Sequence, residues 1–278
     1  NLLKLIDKEF SQMKIKYGWG SNPYYYLSGL YGIHPSFIQG MLEAKSFSYA
    51  EILTVIENLK TEDGKKFSKD LIDTYKQKFS GKSKGSYIPK KYIKNKNVLI
   101  LGSGPGIKEH KIALETFIKN QKPFVIVLNT QNVLNPKVID VRAVCNTLRL
   151  LTDHKIINSL KQKIIMPYQR LSKSIKNKFK SVKKLDFGVE IKNNTFKFMK
   201  SSATLPNTLA ITYALAIANS GNAKKIYLAG FDGYDSDDPK RREMDELFIL
   251  YQSLKKKSEL ISITPTKYKI KSESVYAF

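Results

Sequence analysis

Residues 97–106 read NVLILGSGPG. Val98, Leu99, Ile100 and Leu101 make an unbroken apolar run with β-branched members, the pattern of a central strand covered on both faces. The run stops at Gly102-Ser103-Gly104-Pro105-Gly106, where glycine lets the backbone turn sharply and approach a ligand closely. A strand that ends in such a turn and opens a helix offers unpaired N–H groups and a helix dipole to a phosphate. No Gly-Lys-Ser/Thr follows, so the turn is not a P-loop. A proline intrudes and the third glycine of a dinucleotide fingerprint is missing. On its own the stretch reads equally as a nucleotide site or as a tight turn.

Downstream, strand and helix patterns alternate. A helix is expected over 107–120, a buried strand over 124–128, a third strand over 141–146 and a fourth over 163–166. An Ala-rich helix follows over 209–219, then a strand over 225–229, a helix over 244–256 and a last strand over 260–263. This rhythm predicts an α/β fold: a doubly wound, mostly parallel, Rossmann-like sheet. Upstream, residues 1–62 carry short helical periods broken by Gly18-Trp19-Gly20, Pro23 and Pro35, the pattern of a small all-helical domain. Residues 63–96, with Ser80-Gly81-Lys82-Ser83-Lys84-Gly85-Ser86, read as a basic linker. The nucleotide-binding domain is then expected over 97–278.

The chain has 278 residues, is 42% hydrophobic and carries a formal charge of +24. It can build a sizeable core, and it favours anionic partners. It has no apolar run long enough for a transmembrane helix and no secretory signal pattern at NLLKLIDKEF. That opening, in mid-helix and without Met, is expected of a fragment. The single cysteine, Cys145, excludes disulfides within the chain and reads as a small buried hydrophobe. The stretch from Lys161 to Lys184 is basic with no acidic residue. It reads as an exposed helix and loop, or as a surface for peripheral membrane contact. No nucleic-acid-binding module is present.

In an open α/β sheet, ligands sit beyond the carboxyl ends of the strands. Four loops meet that condition. They are Gly102 to Gly106; Asn129-Thr130-Gln131; the run from Ser201 through Pro206, Asn207 and Thr208; and Gly230-Phe231-Asp232-Gly233-Tyr234. The first is read as binding nucleotide through Gly102, Ser103, Gly104 and Pro105, the second through Asn129 and Thr130. Asn207 and Thr208 precede a helix whose N–H groups can receive an anion, and Gly230 and Asp232 complete the set.

Gly102-Ser103-Gly104-Pro105, Val127-Leu128-Asn129 and Tyr227-Leu228-Ala229-Gly230-Phe231-Asp232-Gly233-Tyr234 resemble the bacterial CMP-sialic acid-dependent sialyltransferases. Motility-accessory-factor glycosyltransferases and 6-hydroxymethylpterin diphosphokinases are relatives of that fold. The resemblance covers residues 97 to 268. It implies that Gly102, Ser103, Gly104 and Asn129 hold the CMP part of a CMP-activated acidic sugar, and that Tyr234 assists the leaving phosphate. It implies no cofactor and no metal. The family's catalytic His has no counterpart here, where the chain reads Asp235-Ser236-Asp237-Asp238-Pro239-Lys240-Arg241-Arg242. Asp235, Asp237 or Asp238 is then the candidate proton acceptor, and the basic residues are candidates to stabilise phosphate charge. Ser103 replaces the family's usual Asn. A separate stretch, Tyr17-Gly18-Trp19-Gly20 with Pro23-Tyr24 and residues 27–35, resembles the C-terminal helical segment of 4-hydroxy-2-oxovalerate aldolases and implies an aldolase fusion.

The expected function is transfer of a nonulosonate-type sugar to a surface glycan. The partners are a nucleotide-sugar donor and a glycan acceptor, without nucleic acid, and self-association is a further expectation. The expected place is the cytoplasm, with the inner membrane face as an alternative. The alternatives are an Mg-ATP-dependent diphosphokinase-like transfer, with the three aspartates at the metal, and a non-catalytic nucleotide-binding domain of a bifunctional aldolase fusion.

Overall fold

The computed structural model describes residues 83–278 except 172, 193, 237 and 238. The described residues belong to one compact unit. The expected all-helical domain over 1–62 and its aldolase-like stretch lie outside the described residues.

The described chain begins with a short helix, α1 (Lys90–Ile93), then β1 (Val98–Leu101), α2 (Gly106–Glu109), α3 (Lys111–Gln121), β2 (Phe124–Leu128) and β3 (Val141–Ala143). Next come α4 (Thr147–Thr152), α5 (His154–Ser159), β4 (Lys163–Met166), α6 (Lys173–Lys178), β5 (Lys184–Asp186), β6 (Gly188–Ile191), β7 (Lys197–Phe198) and β8 (Ser202–Leu205). The chain ends with α7 (Ala210–Ser220), β9 (Lys225–Ala229), α8 (Pro239–Gln252), β10 (Glu259–Ser262) and β11 (Lys271–Ser272). Eight of these strands pair in the order β11-β10-β9-β1-β2-β3-β4-β5. Every pairing in that sheet is parallel.

The doubly wound expectation holds because β1 buries both faces. Val98 and Ile100 enter a core with Ile126, Leu228 and α7. Leu99 and Leu101 enter the opposite core with Val127, Ala229 and the Leu114–Phe117 side of α3. The strand order reverses at β1, whose neighbours are β2 and β9. That reversal is where an open parallel sheet leaves a crevice for a ligand.

Helix α7 is buried from Ile211 through Ala218. A helix apolar all round needs cover on every side, and here a second sheet supplies it. That sheet has the order β6-β8-β7, with β6 parallel and β7 antiparallel to β8. This corrects the reading of residues 201–208 as one loop. Ser202–Leu205 is a fully buried strand, in which the Thr204 hydroxyl donates to Glu190 Oε2 at 3.0 Å. Only residues 206–208 remain a connection.

The basic stretch from Lys161 to Lys184 is likewise not one exposed helix and loop. It supplies β4 to the sheet and buries Ile164, Ile165, Met166, Ile175 and Phe179. Residues 83–96, read as linker, include the buried Tyr87 and Ile93. The helix expected over 107–120 is interrupted at His110, the C-cap of α2 and the N-cap of α3. No helix among the described residues is long and apolar enough to cross a membrane.

Candidate functional site

The loops after β1 and β9 are built into each other. Gly104 N–H donates to the Gly230 carbonyl at 2.9 Å, and Gly106 N–H donates to Asp232 Oδ1 at 2.9 Å. Gly230 takes φ +72°, a left-handed conformation suited to glycine. A Cβ on Gly104 would lie 1.8 Å from Asp232 Oδ2, and one on Gly106 would lie 2.4 Å from Oδ1. These glycines therefore make room for the Asp232 carboxylate as well as for any ligand. The β9 loop is held from behind too: Gly230 N–H donates to Thr264 Oγ1 at 3.0 Å, and the Thr266 hydroxyl donates to the Phe231 carbonyl at 2.6 Å.

The loop after β2 begins with Asn129 at φ +53°, its N–H donating to the Ala143 carbonyl at 3.1 Å. A fully buried arginine, Arg142 in β3, sits beneath it. Its guanidinium donates to the carbonyls of Gln131 at 2.5 Å and Asn129 at 3.3 Å, and to Gln162 Oε1 at 3.2 Å. Burial pushes the Arg142 pKa down from its ordinary value. The group stays charged at neutral pH, since arginine does not lose its proton in proteins. The Thr130 hydroxyl donates to Asp153 Oδ2 at 3.3 Å.

Between these loops lies a cavity of about 630 Å³, whose wall includes Ser103, Asn129, Gln131, Arg149, Asp153 and Asp232. Gly102, Gly104, Pro105, Thr130, Gly230, Tyr234 and Tyr268 line it as well. The first turn of α7 closes one side through Leu209, Ala210 and Ile211. The first N–H groups of a helix have no intrahelical acceptor, so this end presents donors and a positive dipole. Asn207 and Thr208 stand behind that wall rather than on it. Asn207 Oδ1 accepts from Leu209 N–H at 3.1 Å and from the Thr212 hydroxyl at 2.7 Å. Thr208 is buried and its carbonyl accepts from Cys145 Sγ at 3.1 Å. Burial of Cys145 agrees with its reading as a small hydrophobe.

Three cavity-lining side chains keep buried polar atoms without a hydrogen-bond partner: Asn129 Oδ1, both Gln131 amide atoms and Asp232 Oδ2. Such groups are uncommon in a folded chain, because each costs about 1–3 kcal/mol. These atoms belong to residues of the cavity wall but are themselves closed to solvent, so they stand behind the wall rather than on its surface.

Asp235 is exposed and outside the wall, with Lys267 Nζ 2.7 Å from its Oδ1. That ammonium holds the Asp235 carboxyl below its usual range. Asp237 and Asp238 lie outside the described residues. Arg241 donates to the carbonyls of Tyr234 at 3.1 Å and Lys267 at 2.5 Å, fixing the loop rather than facing the cavity. Arg242 pairs with Glu246 at the surface. Burial, then the neighbouring Tyr234, push the Tyr268 phenol well up, so it stays a donor. Arg149, Asp153 and Tyr268 escaped sequence reading because no motif surrounds them and they come from separate elements. No group of three metal-ligating side chains occurs among the described residues.

No family model matches the chain, and no curated protein matches it. Five chains of solved structures match. One is the MAf glycosyltransferase from Magnetospirillum magneticum AMB-1, with a TM-score of 0.49 and 13% identity. The match covers 74% of this chain and 37% of that one, so this chain spans little more than a third of that protein's length.

Proposed function

We propose that residues 97–278 form a glycosyltransferase domain that takes a CMP-activated acidic sugar of the nonulosonate type and passes the sugar to a glycan hydroxyl. The observation that carries this reading is one cavity at the sheet's reversal point, walled by the loops after β1, β2 and β9 and by the first turn of α7. The cavity's size suits a nucleotide-sized ligand. The Asn129 amide nitrogen and the Ser103 and Thr130 hydroxyls, from residues on the wall, are the candidate contacts to a base or ribose. The Arg149 guanidinium and the start of α7 offer a seat to the phosphate. The motif resemblance over 97–268 selects CMP among nucleotides.

The acceptor hydroxyl oxygen attacks the anomeric carbon as the bond to the phosphate oxygen breaks, with inversion. CMP leaves as a phosphomonoester. Arg149, the α7 N–H groups and the Tyr234 phenol stabilise its charge. The hydroxyl proton passes to a carboxylate. Asp153 is on the wall, with Oδ2 accepting from the Thr130 hydroxyl, and takes that role in this scheme, whereas Asp235 is outside the wall. No cofactor enters the scheme.

Calorimetric titration with CMP, CDP, UDP and ATP tests the donor class. A cytidine nucleotide is expected to bind at least tenfold more tightly than UDP or ATP, and equal binding sinks the CMP assignment. Preference for ATP with Mg²⁺ would favour phosphoryl transfer instead. Asn129→Gly is the cleanest variant. Glycine adopts φ +53° without strain, so the urea midpoint should hardly move while the carboxamide is lost. Affinity for CMP should fall about 5–50-fold, or roughly 1–2.3 kcal/mol. Unchanged affinity would remove Asn129 from the site.

A further inference from the structure

Helix α7 connects two cavities. Its first turn borders the candidate site, and its last residues, Asn219 and Ser220, border a second cavity of about 650 Å³. At 1.5 Å per residue the two ends of this helix lie roughly 15 Å apart. The second cavity is walled by four lysines, Lys90, Lys200, Lys256 and Lys257, and by no carboxylate. Ile88, Phe198 and Met199 give it an apolar side. Lys257 Nζ donates to the Leu254 carbonyl at 2.7 Å. The other three ammonium groups make no ion pair with any described carboxylate. Ser220 Oγ is buried and has no hydrogen-bond partner.

We propose that this cavity is a second binding site, for a phosphate-bearing anion. Four like charges around one concavity repel one another, and an anion among them removes that repulsion. The carboxyl end of α7 opposes an anion with a partial charge of about −0.5, which four ammonium groups outweigh. The apolar side accommodates whatever carries the phosphate.

The parallel sheet explains why the charge gathers here. Every strand of the large sheet starts at the same edge, and exposed lysines stand there: Lys96 before β1, Lys224 before β9 and Lys255 before β10. They raise the local anion concentration around the cavity. The side chain of Tyr92, 47% exposed, lies on the adjoining α1. The phosphate can therefore be that of a soluble ester or that of an anionic lipid, and the experiment separates the two.

The full chain is titrated with inorganic phosphate by calorimetry. In parallel it is floated with vesicles of phosphatidylcholine alone and of phosphatidylcholine with 30% phosphatidylglycerol. The triple variant Lys90→Gln, Lys200→Gln, Lys256→Gln is compared with Lys111→Gln, Lys119→Gln, Lys122→Gln. The second triple removes the same charge from exposed positions on and beside α3. The first triple is expected to lose a saturable phosphate event, or anionic-vesicle binding, at least tenfold, and the second less than twofold. Loss of the phosphate event indicates a soluble ester, and loss on vesicles alone indicates a lipid headgroup. Equal loss in both triples, or no binding in either arm, overturns the proposal. Thermal midpoints of both triples guard against misfolding. The outcome is independent of whether the cavity at the other end of α7 takes CMP.

Discussion

Gly104→Ala is expected to destabilise the protein by about 3 kcal/mol, and Gly106→Ala by about 1–3 kcal/mol, through forced overpacking. The two should then part company in an Asp232→Ala background. A Cβ on Gly106 meets Asp232 Oδ1 at 2.4 Å, and its next two neighbours are also atoms of that carboxylate. Removing the carboxylate removes the obstacle. Since Gly106 opens α2, alanine there should become neutral or up to about 1 kcal/mol stabilising by helix propensity. A Cβ on Gly104 still meets the Gly230 carbonyl at 2.8 Å, so rescue at that position is only partial. Asp232→Ala alone should cost about 1.5–3 kcal/mol, because Gly106 N–H loses a charge-assisted acceptor. Urea unfolding of the four-member cycle for Gly106 and Asp232 gives a coupling of about 2 kcal/mol if the two loops press on each other as described. Additive costs would show that they do not.

The same clasp shows what the sequence can and cannot disclose. β1, β2, β4 and β9 were legible with the bounds they have, because each is an apolar run closed by polar, glycine or proline residues. Once those strands are parallel, the loops after them must share one edge, so most of the cavity wall was legible as well. The purpose of the glycines was not. They read as space for a ligand, yet their Cβ directions point at Asp232 and Gly230, more than a hundred residues away. Residues 184–205 were illegible for another reason. Their strands have two to four residues, too few for a period, and β7 and β8 pack against a distant helix, α7. The pairing of Asp235 with Lys267 joins residues 32 positions apart, and nothing local announces it.

Arg142→Ala is expected to be the most damaging single change at the site, about 3–5 kcal/mol in stability, with a loss of nucleotide binding that exceeds what unfolding explains. Arg142 is the largest fully buried side chain described, and it stands in a three-residue strand among Val141 and Ala143. Its donors satisfy the carbonyls of Asn129 and Gln131 and the side chain of Gln162. Truncation opens a cavity in the core and leaves these acceptors without a partner. Lysine does not replace it, because one ammonium cannot span acceptors that the planar fork reaches together. Arg142→Lys should still cost about 1–3 kcal/mol. The functional consequence follows from position. The Asn129 and Gln131 carbonyls are the points at which Arg142 holds the loop, and the same two residues form part of the cavity wall. Once the loop is released, those residues lose their fixed positions and the cost of ordering them falls on the ligand. Measured well below the unfolding midpoint, Arg142→Lys should therefore weaken cytidine-nucleotide binding about tenfold with the far-ultraviolet dichroism unchanged. Native affinity in that folded variant would show that the loop needs no such tether.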